Sequence, residues 1–165
     1  MLFSDGDFRK VAIFGLGAAG KTQIALEMAY RVRDKDPHCS VFCIAATSVE
    51  NVCQAILDIA HELGISEVDD PDADVIALVK RCLSDENFGQ WLLILGGLDE
   101  MDMRKRRTDS ALSTRLADDL PSSRKGSILM TTRNRKHAFD FSRNNVLQIP
   151  QDDEEIALEI LRRTL

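Results

Sequence analysis

The residues whose types and spacing can do chemistry lie near the amino end of the chain. Gly15-Leu16-Gly17-Ala18-Ala19-Gly20-Lys21-Thr22 has the spacing G-x-x-x-x-G-K-[ST]. Glycines at these positions let the backbone wrap closely around phosphate oxygens. Amide N–H groups and the positive end of a following helix then supply a site for an anion. Lys21 brings a point charge to the β- and γ-phosphates, and the Thr22 hydroxyl is suited to ligate Mg²⁺. The candidate cofactor-binding set is Gly15, Gly17, Ala18, Ala19, Gly20, Lys21, Thr22 and Gln23. The same glycines also satisfy G-x-G-x-x-G, the fingerprint of a dinucleotide fold. Lys21-Thr22 favours phosphate and metal instead, and the second apolar run ends in Ala45-Ala46-Thr47, with only Glu50 to argue for as a ribose-binding acid.

Such a loop works only between a strand and a helix, and the flanking residues predict both. Residues 10–14 (KVAIF) are a short apolar run, and Ile24, Met28, Ala29 and Val32 recur at helical spacing after Lys21. A second strand is expected over 41–46 and a second helix through Val49, Val52, Ile56, Ile59, Ala60 and Leu63, stopping at Gly64. An acidic loop with Pro71 precedes a third helix from near Asp74. WLLIL at 91–95 lacks polar alternation and suits a central strand covered on both faces. A short helix around Leu112 and Leu116, strands at 127–132 and 146–149, and a closing helix from about residue 153 complete the pattern. Strands alternating with helices predict an α/β domain: a mainly parallel five-stranded sheet flanked by helices in three layers.

The 165 residues, 44% hydrophobic and 29% charged, suffice for one core and not comfortably for two, so residues 1–165 are expected to form a single nucleotide-binding domain. The run ends at Thr164-Leu165 inside an amphipathic stretch, as expected of a fragment of a larger multidomain protein. A net charge of -6 argues against partners that demand clustered cations, so neither nucleic acid nor an anionic membrane is expected. No apolar run approaches the roughly 20 residues of a membrane-spanning helix. The four cysteines form no CxxC pair and no secretory signal is visible, which suits a cytoplasmic setting.

VAIFGLGAAGKTQIALEMAY, WLLILGGLDEMD, LADDLPSSRKGSILMTTRNR and VLQIPQDDEEIALEILRR together resemble the NB-ARC branch of the STAND P-loop ATPases, especially receptor-like proteins of filamentous fungi. The resemblance covers nearly the whole chain. It implies an extra strand between the phosphate-loop strand and the Walker B strand, ATP or ADP with Mg²⁺ as ligand, and a switch role beside other domains of a receptor-like chain that forms a homo-oligomer on activation. It also identifies Arg133 in Thr131-Thr132-Arg133 with the sensor arginine that touches the γ-phosphate. Independently of the resemblance, Arg133 follows a buried strand and so belongs at the carboxyl edge of the sheet, where a guanidinium can read a phosphate through paired hydrogen bonds. As a solvated loop cation it would form ordinary surface charge with Arg135 and Lys136.

The sequence departs from the pattern at Walker B. Where an aspartate normally follows the apolar strand, Gly96 and Gly97 stand. Asp99 and Glu100 are the remaining catalytic candidates for ordering Mg²⁺ or water, with loop carboxylates that only cap or solvate as the other reading. Three residues of extended chain span roughly 10 Å, so Asp99 must fold back to replace an acid at position 96. Binding with slow or absent hydrolysis is therefore expected. A nucleotide-independent scaffold and a GTP-preferring NTPase remain as alternatives.

Other constellations are weaker. Asp70, Asp72 and Asp74 open like a calcium loop, but Val75 and Arg81 occupy the positions of the turn glycine and the bidentate glutamate. His38, Cys39, Cys43, Cys53 and His61 match no common zinc spacing. The run Arg104-Lys105-Arg106-Arg107 reads as a solvated loop, and Trp91 as a core aromatic.

Overall fold

A computed structural model describes residues 9–17, 20–97, 120–143 and 145–149. The expected helices around Leu112 and from residue 153 lie outside these residues, as do the site candidates Ala18, Ala19, Asp99 and Glu100.

Strand β1 (Arg9–Phe14) leads through the glycine loop into α1 (Lys21–Lys35). Then come β2 (Ser40–Ala45), α2 (Val49–Glu62), a 3-10 turn (Ser66–Asp69), α3 (Val75–Leu83), β3 (Trp91–Gly96), β4 (Gly126–Thr132), α4 (Arg135–Ser142) and β5 (Val146–Gln148). The strands form one sheet in the order β2-β3-β4-β1-β5 with every pairing parallel. Strand β4 therefore lies between the phosphate-loop strand and β3, as the resemblance implied.

Alternation along each strand divides the core into two layers. Ile13, Leu92, Ile94 and Leu129 face Ile24, Ala25, Met28 and Val32 of α1. Ala12, Phe42, Ile44, Leu93, Leu95, Ile128 and Met130 face Val52, Ile56, Ile59, Val79 and Leu83 of α2 and α3, with Ala138 of α4 in the same layer. This is the expected three-layer arrangement. All five side chains of the WLLIL run are buried because both faces of β3 are covered.

Local signals set the boundaries. The Ser48 hydroxyl accepts a hydrogen bond from Asn51 N–H at 3.2 Å and caps α2. Helix α2 ends at the left-handed Gly64 (φ 67°), whose N–H donates to His61 O while Ile65 N–H donates to Ala60 O. Asp74 caps α3 by accepting from Ala77 N–H. Helix α4 was not among the expected elements. Asn134 Oδ1, accepting from the N–H groups of Lys136 and His137, starts it, and Ala138 secures it in the core.

Trp91 is fully buried, and its indole N–H donates to Leu83 O at 2.8 Å. The ring lies against Gly126, the first residue of β4: a β-carbon there would overlap it, with Cη2 only 2.7 Å away. Large rigid aromatic and absent side chain form one packing unit. Gly126→Ala should accordingly cost about 2–3 kcal/mol through overpacking, read as a lower urea midpoint with unchanged slope. A midpoint equal to that of the unsubstituted chain would show that the ring can move aside.

Candidate phosphate-binding site

The end of β1 hands the chain to the glycine loop beside the end of β4. Gly15, buried, donates its N–H to Thr132 O of β4 at 3.3 Å. Gly20 adopts φ 73°, a left-handed conformation that favours glycine, and so turns the chain into α1. The helix has no side-chain cap at its start, and its first turn carries no acid. Its amino-terminal N–H groups and its dipole, equivalent to roughly half a positive charge, suit an anion.

Lys21 bends back over the loop. Its Nζ donates to Gly15 O at 2.8 Å and to Leu16 O at 2.6 Å. The ammonium is thereby held within the same turn of backbone that would receive phosphate. Thr22 and Gln23 occupy the first turn of α1 with exposed side chains.

Arg133 reaches the loop from β4. A β-carbon on Gly17 would lie 3.9 Å from its Nη1 and 4.0 Å from its Cδ. The exposed guanidinium is thus beside the phosphate loop. Parallel pairing makes this proximity compulsory, since Phe14 and Thr132 are register partners. The structure therefore brings together Gly15, Gly17, Gly20, Lys21 and Arg133.

Gly96 closes β3 opposite Ala45, on the face covered by α1 that Leu92 and Ile94 also share. A β-carbon on Gly96 would be in ordinary contact, 3.7 Å from Thr131 Oγ1 and 4.0 Å from Ile44 O. Gly97 differs: with φ 76° and Thr47 Cγ2 3.1 Å from a β-carbon, it resists substitution both conformationally and sterically. The Thr131 hydroxyl is a feature that sequence reasoning did not single out. Its signal was the pairing of β3 with β4, which spacing along one strand does not reveal.

The donors fit a nucleotide-borne metal ion better than a site built by protein alone. Mg²⁺ keeps several waters and takes phosphate oxygens, so it asks the chain for few ligands. Thr22 and Thr131 offer hydroxyls, and no group of three or more metal-ligating side chains occurs among the described residues. Glu50 is no ribose acid: hydrogen bonds from its own backbone N–H and from Ser48 lower its carboxyl pKa and tie it to the start of α2. Burial, with help from the Asp36 carboxylate, pushes the Cys39 thiol up to about 11, and burial raises those of Cys43 and Cys82. At neutral pH these are thiols rather than metal-binding thiolates. Asp70 accepts from Asp72 N–H within its own turn, and Asp74 is spent on the α3 cap.

Over 163 residues, 96% of this chain, the sequence is 43% identical to a nucleotide-binding leucine-rich repeat (NLR)-like protein of Hyaloscypha variabilis. The chain spans 16% of that protein's length. No family model matches the sequence. Among solved structures, Cdc6p of Pyrobaculum aerophilum superposes with a TM-score of 0.59 at 15% identity, covering 98% of this chain and 45% of that one. The Orc1 protein of Aeropyrum pernix, solved in complex with DNA, gives 0.58 at 16% identity, covering 94% and 44%. At such identities the likeness carries the fold alone, that of P-loop NTPases. By its fold the chain is a P-loop NTPase-fold domain, and over nearly its whole length it is similar to one segment of an NLR-like protein.

Proposed function

We propose that the chain is the ATP- or ADP-binding domain of a STAND-type signalling switch, in which the phosphates are held by Gly15 to Gln23 and Arg133 and hydrolysis is slow or absent. The observation that carries the reading is the convergence on one loop of two cations, Lys21 through its bonds to Gly15 O and Leu16 O and Arg133 through its side chain beside Gly17. Two cations from separate elements, with an uncapped helix start between them, form a cradle for a polyphosphate. The Thr22 hydroxyl would hold the Mg²⁺ that accompanies the nucleotide. When bound, it supplies charge neutralisation across the phosphates.

Gly96 limits the chemistry. Phosphoryl transfer depends on positioning and on neutralising charge, and a missing acid weakens both. Asp99 and Glu100 are the carboxylates that follow in the chain, and they are our candidates for ordering metal or water. The domain then stores a phosphate state rather than consuming it. Within a longer receptor-like chain, that state is read by neighbouring domains and couples to homo-oligomer formation in the cytoplasm. The Gly96-Gly97 pair also favours a second reading, in which the fold has lost useful nucleotide affinity and serves as a packing scaffold. GTP in place of ATP is a variant of the first reading.

Calorimetric titration with ATP, ADP and GTP, each with and without Mg²⁺, separates these. The switch reading expects micromolar-range binding with a Mg²⁺ gain below about tenfold, because charge-assisted ligation by an acid is missing. Lys21→Ala should weaken binding by about 10- to 100-fold, the size of a lost charge-assisted hydrogen bond. Full affinity in this variant would sink the cradle assignment. Indifference of the thermal midpoint to millimolar nucleotide would favour the scaffold, since a ligand selective for the native state must raise it.

The slot at Gly96 makes a gain-of-function test possible. Its φ is not left-handed and a β-carbon there meets only ordinary contacts, so Gly96→Asp should fold and raise ATP turnover. Unchanged turnover in a folded, nucleotide-binding variant would mean that the acid is not the limiting defect.

A further inference from the structure

Two exposed surfaces away from the phosphate loop have matching chemistry. The first is a groove between α2 and the start of α3, about 460 Å³ in volume. Ile56, Leu57, Val75 and Ile76 give it an apolar lining, and the exposed Asp72 and Asp74 line it as well. Both carboxylates belong to residues 65–76 (ISEVDDPDADVI), a run with five acids and no lysine or arginine. The second surface is the outer face of α4, where Phe139 is 43% exposed. Arg135, one turn earlier, holds its guanidinium over that ring at 5.4 Å from the centroid. The surrounding residues 133–143 (RNRKHAFDFSR) hold four basic side chains and one acid. Aromatic rings and arginines are the side chains enriched where proteins touch one another. The groove is thus a negatively charged socket, and α4 a positively charged knob.

Within one copy the two are held apart. Helix α2 packs on β2 and α4 packs on β1, β4 and β5, while the order β2-β3-β4-β1-β5 puts β2 and β5 at opposite edges of the sheet. We infer that copies of this chain associate head to tail, with Phe139 and Arg135 of one copy seated in the α2–α3 groove of the next. The ring enters the apolar lining and the guanidinium meets Asp72. Copies with a net charge of -6 repel at long range, so the contact depends on the local reversal of sign at α4. Each copy uses two different surfaces. A pair therefore keeps one open groove and one open α4, to which further copies add until a ring closes or a filament grows. Nucleotide has no part in the fit, so the inference stands apart from the phosphate-loop reading.

Sedimentation of the chain over a range of concentrations, without nucleotide, tests this with Asp72→Arg, Arg135→Glu and Phe139→Ala. One ring and one close charge pair make a contact of the weak class, so the unsubstituted chain should be monomeric when dilute and associate when concentrated. Phe139→Ala should weaken association about tenfold, and each charge reversal at least about tenfold. An equal mixture of Asp72→Arg and Arg135→Glu should associate although neither does so alone, because the intact α4 of the first fits the intact groove of the second. All three residues are exposed, so the variants should keep the thermal midpoint of the unsubstituted chain. A chain that is monomeric at every concentration overturns the inference and leaves the groove to some other cationic partner. Association that survives Phe139→Ala and both reversals overturns it too, by placing the contact on another surface. So does a mixture of the two folded reversal variants that stays monomeric, since the two surfaces then do not face each other.

Discussion

The parallel pairing of β1 with β4 is the constraint on which the site depends. Arg9 pairs with Ser127 and each following residue keeps step, until Phe14 lies beside Thr132. Both strands then end at the same level of the sheet, so the glycine loop and the Thr131-Thr132-Arg133 segment leave it side by side. The hydrogen bond from Gly15 N–H to Thr132 O extends the ladder one residue into the loop. A slip of one residue would turn Ile13 out of the α1 layer and Arg133 away from Gly17. Burial of Ile13 at 1% and Leu129 at 0% opposes that slip, so core packing fixes the distance between Lys21 and Arg133, far apart in sequence, only through this register.

Charge is concentrated where packing allows it. Helix α1 buries Ile24, Ala25, Met28, Ala29 and Val32 against the sheet and needs no side-chain cap to hold its first turn. Its start is left to Gly20, whose left-handed backbone trades a capping hydroxyl for close approach by a ligand. Among the described residues, the other helices α2, α3 and α4 are capped conventionally, by Ser48, Asp74 and Asn134. A capping bond is worth about 1 kcal/mol, and its omission only at α1 is compensated by the apolar stripe beneath that helix.

Much of this was legible because the signals were local. The G-x-x-x-x-G-K-T spacing, the strand before it and the stripe after it all lie within a continuous stretch of sequence, and WLLIL declares a two-faced strand by composition alone. Gly64 and Asp74 marked helix ends through backbone chemistry that acts within a few residues. Helix α4 was illegible because eight residues give barely two turns, and its exposed basic face masks the apolar positions that dock it; Asn134 was its one clear signal. The partnership of Gly96 with Thr131 was hidden for a different reason. It crosses between strands some 35 residues apart in the chain, a reach set by sheet order, and the order β3-β4-β1 is a property of the fold rather than of any window of residues.

Gly96 and Gly97, adjacent and identical in sequence, have opposite physical meanings. Gly97 is required by its own backbone: φ 76° and the Thr47 methyl at 3.1 Å leave little freedom for a side chain. Gly96 faces no such restriction, and its β-strand geometry would accept an acid. The missing carboxylate is therefore no consequence of folding. Among the described residues, what lies beside the place a side chain at Gly96 would begin is the Thr131 hydroxyl, at 3.7 Å. On the proposed reading, a domain that keeps the cradle without that acid distinguishes a nucleotide from its absence, and its stability is linked to nucleotide concentration by mass action.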